Sequence, residues 1–232
     1  MLTLPAPRQA APGLPKVVTF DIGDTLVRTD GGSVTKRLAE VFDRPLPLVR
    51  AFLNGRAKRE RAPRADLASA LCGHFGNNEC RDLVITILQG AAEEAARVPA
   101  EFDDVRPVVS LLAEAGYRLA AISNLLGAVA PDPDQTRALL GLDSVFYSCD
   151  VGAVKPESGI FRHVECWYGL PPDSFLHVGD SLEADVKGAV RAGWRALHLR
   201  RSEAAATRER LPDVGGSERI SSLHAVSQML LG

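Results

Sequence analysis

Three things are scarce in this chain. No apolar run approaches the length of a bilayer-crossing helix, so no membrane partner is expected. Charge of neither sign dominates. Against 27 Lys and Arg stand 29 Asp and Glu, a formal net charge of −2, which gives no electrostatic reason to expect nucleic acid or an anionic surface as partner. Cysteine is sparse, with four in 232 residues at irregular spacing. That suits reduced thiols better than a disulfide framework and predicts a cytoplasmic protein. There is no internal repeat. Residues 1–15 have no continuous apolar segment of the signal-peptide kind, and Pro5, Pro7, Pro12 and Pro15 forbid a helix, which predicts a loose N-terminal arm.

What remains is an ordinary globular composition, 46% hydrophobic and 24% charged, long enough for one good-sized core or a core with a small second domain. The stretch that organises it is Val17-Val18-Thr19-Phe20-Asp21-Ile22-Gly23-Asp24-Thr25-Leu26. A short run of Val, Thr and Phe bounded by Asp and Gly reads as a strand buried on both faces. Such strands belong to parallel sheets, whose ligands bind off the carboxyl ends. Asp21 falls at that end. A carboxylate contributes little to packing there, so it is a candidate for chemistry.

From about 32 to 99 the pattern turns helical. Val34, Leu38, Val41 and Phe42 recur at helical spacing, then Val49, Phe52 and Leu53, then Leu67, Ala70 and Leu71, then Leu83, Val84, Ile87 and Leu88. Four or five helices are predicted, with no strand among them. Strands and helices then alternate. Strands are expected at 118–123, near 144–148, at 174–179 and at 194–199, with helices between them. That alternation predicts an α/β fold, a doubly wound parallel sheet with an inserted helical block. A charged helix at 203–210 and a closing helix at 222–231 complete the reading. Cys72, His74 and Cys80 fit no zinc spacing, and His163 and His177 read as packed side chains.

Three later stretches bear on Asp21. Arg118-Leu119-Ala120-Ala121-Ile122-Ser123-Asn124 ends an apolar run in small polar groups. Val154-Lys155-Pro156-Glu157 places a lysine before a proline that opens a helix. Phe175-Leu176-His177-Val178-Gly179-Asp180-Ser181-Leu182-Glu183-Ala184-Asp185 is a strand, a Gly-Asp turn and a further Asp. In order and spacing, these and the first stretch resemble the four motifs of the haloacid dehalogenase superfamily over about residues 16–199.

That resemblance implies a Rossmann-like core over 16–31 and 100–232, with residues 32–99 as a cap closing over the site. It implies that Asp21 is the nucleophile and forms an aspartyl phosphate. Ser123 and Asn124, with the backbone amides after Ser123, would hold the phosphoryl oxygens, and Lys155 would supply charge to nucleophile and phosphate. Mg²⁺ would be held by Asp21, the backbone carbonyl of Gly23 and Asp180, with Asp185 either a ligand through water or the group that orients Lys155. The activity implied is hydrolysis of a small phosphorylated metabolite by a monomer or homodimer.

The sequence departs from the family's phosphatases at Gly23. Their first motif reads Asp-x-Asp-x-Thr, and the second Asp is the general acid and base. Here that position is glycine, and Asp24 lies one place too late. A positioned acid or base contributes about 10²–10⁴-fold. Slow turnover of alkyl phosphates is therefore expected, unless another group intervenes. Two alternatives stand beside the phosphatase. One is a 2-haloacid dehalogenase-like hydrolase, which also lacks the second Asp, although Gly179-Asp180 and Asp185 argue against it. The other is a non-catalytic phosphate-binding or scaffold protein.

Overall fold

The structure, a computed structural model, describes residues 14–29, 33–97, 100–201, 209–211 and 214–232. The expected N-terminal arm lies almost wholly outside these residues. So do most of the expected charged helix and parts of both junctions of the helical block.

Strand β1 (Val17–Phe20) is followed by four helices, α1 (Val34–Phe42), α2 (Leu46–Phe52), α3 (Arg64–Phe75) and α4 (Arg81–Ala96). Then come α5 (Val105–Glu114), β2 (Arg118–Ser123), α6 (Pro133–Leu140), β3 (Ser144–Tyr147), the short α7 (Ser148–Val151) and α8 (Ser158–Tyr168). The chain closes with β4 (Phe175–Gly179), α9 (Gly188–Arg191), β5 (Arg195–Leu199), β6 (Glu209–Arg210), β7 (Glu218–Ile220) and α10 (His224–Leu231). The strands form one sheet in the order β3-β2-β1-β4-β5-β7-β6, parallel throughout except for β6 against β7.

Successive side chains of a strand face opposite sides, and the sheet buries both. Val18, Phe20, Leu119, Ala121, Leu176 and Val178 pack against Val105, Val109 and Leu112 of α5 and Val226 and Leu230 of α10. Val17, Ala120, Ile122 and Phe175 pack on the other side with Ile160, Phe161 and Val164 of α8. Trp194 closes that side, stacked on Phe175 with ring centroids 4.3 Å apart. Two-sided burial is why these strands read as continuous apolar runs.

The helical insert has its own apolar cluster. Leu38, Phe42, Leu53, Leu71, Phe75, Val84 and Leu88 are buried together, and Leu126, Ala128 and Val129 from the loop after β2 join them. The insert therefore rests on the loop that follows Ser123. The His74 and Phe52 rings are tilted against each other with centroids 4.5 Å apart, and the Cys72 and Cys80 sulfurs are 3.7 Å apart. Two details differ from the sequence expectation. Residues 209–210 form a strand rather than part of a helix, and β7 had not been anticipated. Both strands are two or three residues long. Strands that short carry no periodic signal.

Candidate active site

The carboxyl ends of β1, β2 and β4 bring four segments together. β1 is central, flanked by β2 and β4 in parallel register, so its end opens on both neighbours' end loops. The Asp21 N–H donates to the Val178 carbonyl at 2.9 Å, which fixes where its side chain leaves the strand.

Lys155 is the hub. Its Nζ lies 2.6 Å from Asp21 Oδ1, 2.6 Å from Asp185 Oδ1 and 2.6 Å from the Ile122 carbonyl. An ammonium only 3% exposed needs such partners to remain charged. Burial alone would strip its proton, but Asp185 and Asp21 outweigh that and raise its pKa. The lysine backbone is fixed as well. Asn124 Nδ2 donates to the Lys155 carbonyl and the Lys155 N–H donates to Asn124 Oδ1, both at 2.8 Å. The Asn124 amide is thus a strut between two motifs. The Lys155-Pro156 peptide is cis, and α8 begins beyond it at Ser158.

Asp185 is equally committed. Its Oδ1 also faces His177 Nε2 at 3.3 Å, and its Oδ2 accepts from the Ser181 N–H at 2.9 Å. Burial would push this carboxyl up; Lys155, helped by His177, reverses that and holds it well below the usual carboxylate range. His177 is fully buried, and burial lowers its pKa, so the ring is neutral. With Asp185 as acceptor, Nε2 carries the proton and the Thr19 hydroxyl donates to Nδ1, 2.8 Å away. His177 packs in the core, as the sequence suggested, but it also orients Asp185. The signal for that lay in the pairing of two polar residues, Thr19 and His177, on adjacent buried strands.

The Gly-Asp turn has a steric cause. A Cβ on Gly179 would stand 2.3 Å from Asp185 Cγ. We expect Gly179→Ala to displace that carboxylate and cost about 1–3 kcal/mol. A calorimetric Tm equal to wild type would show that the turn relaxes without cost. Gly23 differs. Among the described residues a Cβ there meets only Thr29 Cγ2, at 3.4 Å, an ordinary contact, so none of these neighbours imposes glycine. Asp24 is at a left-handed φ of 54° and accepts from the Thr29 hydroxyl at 2.6 Å and from the Thr29 N–H at 3.3 Å. Its carboxylate pins the loop.

Asp21, Asp180 and Asp185 offer carboxylate oxygens all within 4.8 Å of one another. Burial, with Asp185 and Asp24 adding to it, pushes Asp180 up to about 6. Burial also raises Asp21, opposed by Lys155 and reinforced by Asp185 and Asp180. Crowded hard oxygens of this kind suit a divalent cation, which relieves their repulsion. Asp21, Gly23, Ser123, Asn124, Lys155, Asp180 and Asp185 all line one cavity of about 460 Å³. Its other side comes from the insert, where Val34, Lys58 and Ala95 face the same space. Lys58 had no signature in the sequence, because nothing local marks a helix-end lysine as facing a distant strand.

The fold and the cluster are those of a parallel α/β protein with a carboxylate at a strand end beside two others and a buried lysine. Residues 15–193 match the model of the haloacid dehalogenase-like hydrolases, and the chain belongs to that family. It is 28% identical over 209 residues to a glyceraldehyde 3-phosphate phosphatase of Methanopyrus kandleri, covering 81% of this chain and 85% of that one. It is 32% identical over 171 residues to a phosphoserine phosphatase of Thermus thermophilus, covering 67% of each. Among solved structures, a HAD phosphatase from Thermococcus onnurineus is similar at TM-score 0.56 and 23% identity, over 93% of this chain and 97% of that one. A 2-haloacid dehalogenase from Pseudomonas syringae pv. Tomato is similar at TM-score 0.61 and 21% identity, over 94% and 99%. These structural likenesses establish the fold. No helix among the described residues is long and apolar enough to cross a membrane.

Proposed function

We propose that this chain is a Mg²⁺-dependent phosphatase acting on a small phosphorylated metabolite through an aspartyl phosphate on Asp21. One observation carries the reading: the Asp21 carboxylate, held by Lys155, enters a cavity in which two further carboxylates crowd it. A haloacid substrate has no use for such an anionic cluster, whereas a phosphorylated substrate would use a cation held there to offset its charge. Two relatives, at 28% and 32% identity, are named as phosphatases, which supports the same side.

In this reading Asp21 attacks phosphorus in line and the bond to the leaving oxygen breaks. Lys155 holds Asp21 in position and opposes the burial that raises its pKa, and it offers positive charge to the incoming phosphoryl oxygens. Ser123 and the turn after β2 hold those oxygens from the opposite side. Asp21, Asp180 and the Gly23 carbonyl are the residues that would hold Mg²⁺, and the bound ion offsets repulsion between the carboxylates and the substrate. Asp185 acts through Lys155 or through water, since both its oxygens already accept hydrogen bonds. The insert, 32–99, is the cap.

A screen of phosphate esters and 2-chloropropionate, with Mg²⁺ or EDTA, tests this. Phosphate release that needs Mg²⁺ is the expected result, whereas halide release in EDTA would establish the dehalogenase instead. Binding is separable from turnover. We expect Mg²⁺ at a hundred times its Kd to stabilise the fold by roughly 2.7 kcal/mol. Asp180→Asn should lose most of that gain in a thermal melt, and an undiminished shift would place the ion elsewhere.

A further inference from the structure

Gly23 leaves the leaving-group side of this site without its expected acid, and most cavity-lining groups are already engaged. Ser33 Oγ caps α1 by accepting from the Lys36 N–H. Glu94 is paired with Arg37 at 3.2 Å. The Tyr147 hydroxyl donates to Thr136 at 2.7 Å. Arg97 reaches the cavity, but a guanidinium does not give up a proton. Asp24, next to Gly23, is held by Thr29.

Lys58 is different. It follows the turn Leu53–Ala57 that continues α2, and among the described residues its ammonium has no hydrogen-bond or ion-pair partner. Its neighbours in sequence are clamped to the core. The Ala57 carbonyl accepts from the Gly127 N–H at 2.9 Å. Arg59 is ion-paired with Glu157 and donates to the Gly152 carbonyl at 3.3 Å. Arg61 takes both oxygens of Asp150, at 2.6 and 3.0 Å, and donates to the Ala130 and Pro131 carbonyls. The approach is so close that a Cβ on Gly127 would lie 2.0 Å from the Glu60 carbonyl oxygen. Residues 57–61 are therefore fixed against the loops that follow β2 and β3. From that clamp Lys58 faces the cavity that holds Asp21.

We propose that Lys58 is the proton donor to the leaving oxygen and the base toward the attacking water, filling the role that Gly23 leaves open. The inference rests on the phosphatase reading. In the first step an Asp21 oxygen bonds to phosphorus, the ester P–O bond breaks, and the Lys58 ammonium gives its proton to the departing alkoxide. Alcohol, aspartyl phosphate and a neutral amine result. In the second step water attacks the same phosphorus, its proton passes to the Lys58 amine, and the bond to Asp21 breaks. Inorganic phosphate, the Asp21 carboxylate and the ammonium are regenerated. Burial lowers Lys58 to about 8, with Arg50 and Lys155 adding to the effect and Asp21 opposing it. An amine in that range can work in both directions near neutral pH.

The test compares wild type, Lys58→Met and Lys58→Arg, all with Mg²⁺, on propyl phosphate and on 4-nitrophenyl phosphate. Propyl phosphate needs its leaving oxygen protonated, and the nitrophenyl ester does not. For Lys58→Met we expect propyl phosphate turnover to fall by about 10²–10⁴-fold, with nitrophenolate release in the first turnover within about threefold of wild type. Rapid quench should then show a burst, because phosphoenzyme hydrolysis has lost its base. Lys58→Arg keeps the charge but cannot cycle the proton, so it should restore neither step. Equal losses on both esters without a burst would mean a structural role, and recovery in Lys58→Arg would mean a fixed charge; either overturns the proposal. Wild-type turnover that depends on Asp21 but is unchanged in Lys58→Met overturns the role of Lys58 alone. Wild type inert toward both esters overturns the phosphatase reading and this proposal with it.

Discussion

Asp21→Asn is expected to lower turnover of any phosphate ester by at least about 10⁴-fold while the protein stays folded. A carboxamide is too weak a nucleophile to displace an alkoxide from phosphorus, so no phosphoenzyme can form. The fold survives because Lys155, the buried partner, keeps Asp185 and the Ile122 carbonyl, each at 2.6 Å. Removing one charge from a group of crowded carboxylates also relieves repulsion, so the Tm without metal should not fall. Acid-quenched phosphoenzyme trapping and a melt decide the matter together. An Asn variant that keeps wild-type turnover would remove Asp21 from the mechanism. One that unfolds would show that the Asp21–Lys155 pair is a stability element as well.

The largest stability effect should come from Asp185→Ala. Wild-type Asp185 is 1% exposed and takes hydrogen bonds from Lys155, Ser181 and His177. Truncation leaves a buried ammonium with Asp21 as its one carboxylate partner, and it strands the His177 Nε2–H and the Ser181 N–H. Breaking a buried pair in this way costs about 3–5 kcal/mol, which lowers Tm by roughly 10 °C for a chain of this size. The acid limb gives an independent reading. The folded-state pKa of Asp185 is depressed, so its stabilisation is present above the usual carboxylate pKa and is lost as pH falls below about 4. The wild-type urea midpoint should drop on acidification through that window. The variant, already without the contribution, should show a flatter limb. Equal midpoints for the two proteins at pH 7 would show that Lys155 finds other compensation.

The four motifs lay open in the sequence because each is local. β1 and β4 are apolar runs that end in Asp21 or in Gly179-Asp180, and a strand buried on both faces has to be written that way. The helical insert was equally legible, since its buried positions recur at helical spacing in α1, α3 and α4. The chain order of these pieces implied a parallel sheet with the acids on one edge, and the strand order realises it.

What the motifs do to one another was not legible. That the Asn124 side chain serves the Lys155 backbone follows from two loops, after β2 and before α8, meeting in space. Asp24 lies one place past the acid position in the sequence, but that its carboxylate takes the Thr29 hydroxyl shows only in the folded turn. His177 looked like packing because burial is common and a hydrogen bond to Asp185 has no periodicity. Lys58 is the clearest case. Its place over the site depends on Arg59 and Arg61 reaching Glu157 and Asp150, about 90 or more residues further along the chain. By itself the sequence determined strands β1 to β5, the longer helices and which acids stand at a strand end, because propensity and hydrophobic period act over a few residues. The pairing of charges and the cation that faces the nucleophile were decided only in the tertiary structure, because they depend on distances between segments far apart in the chain.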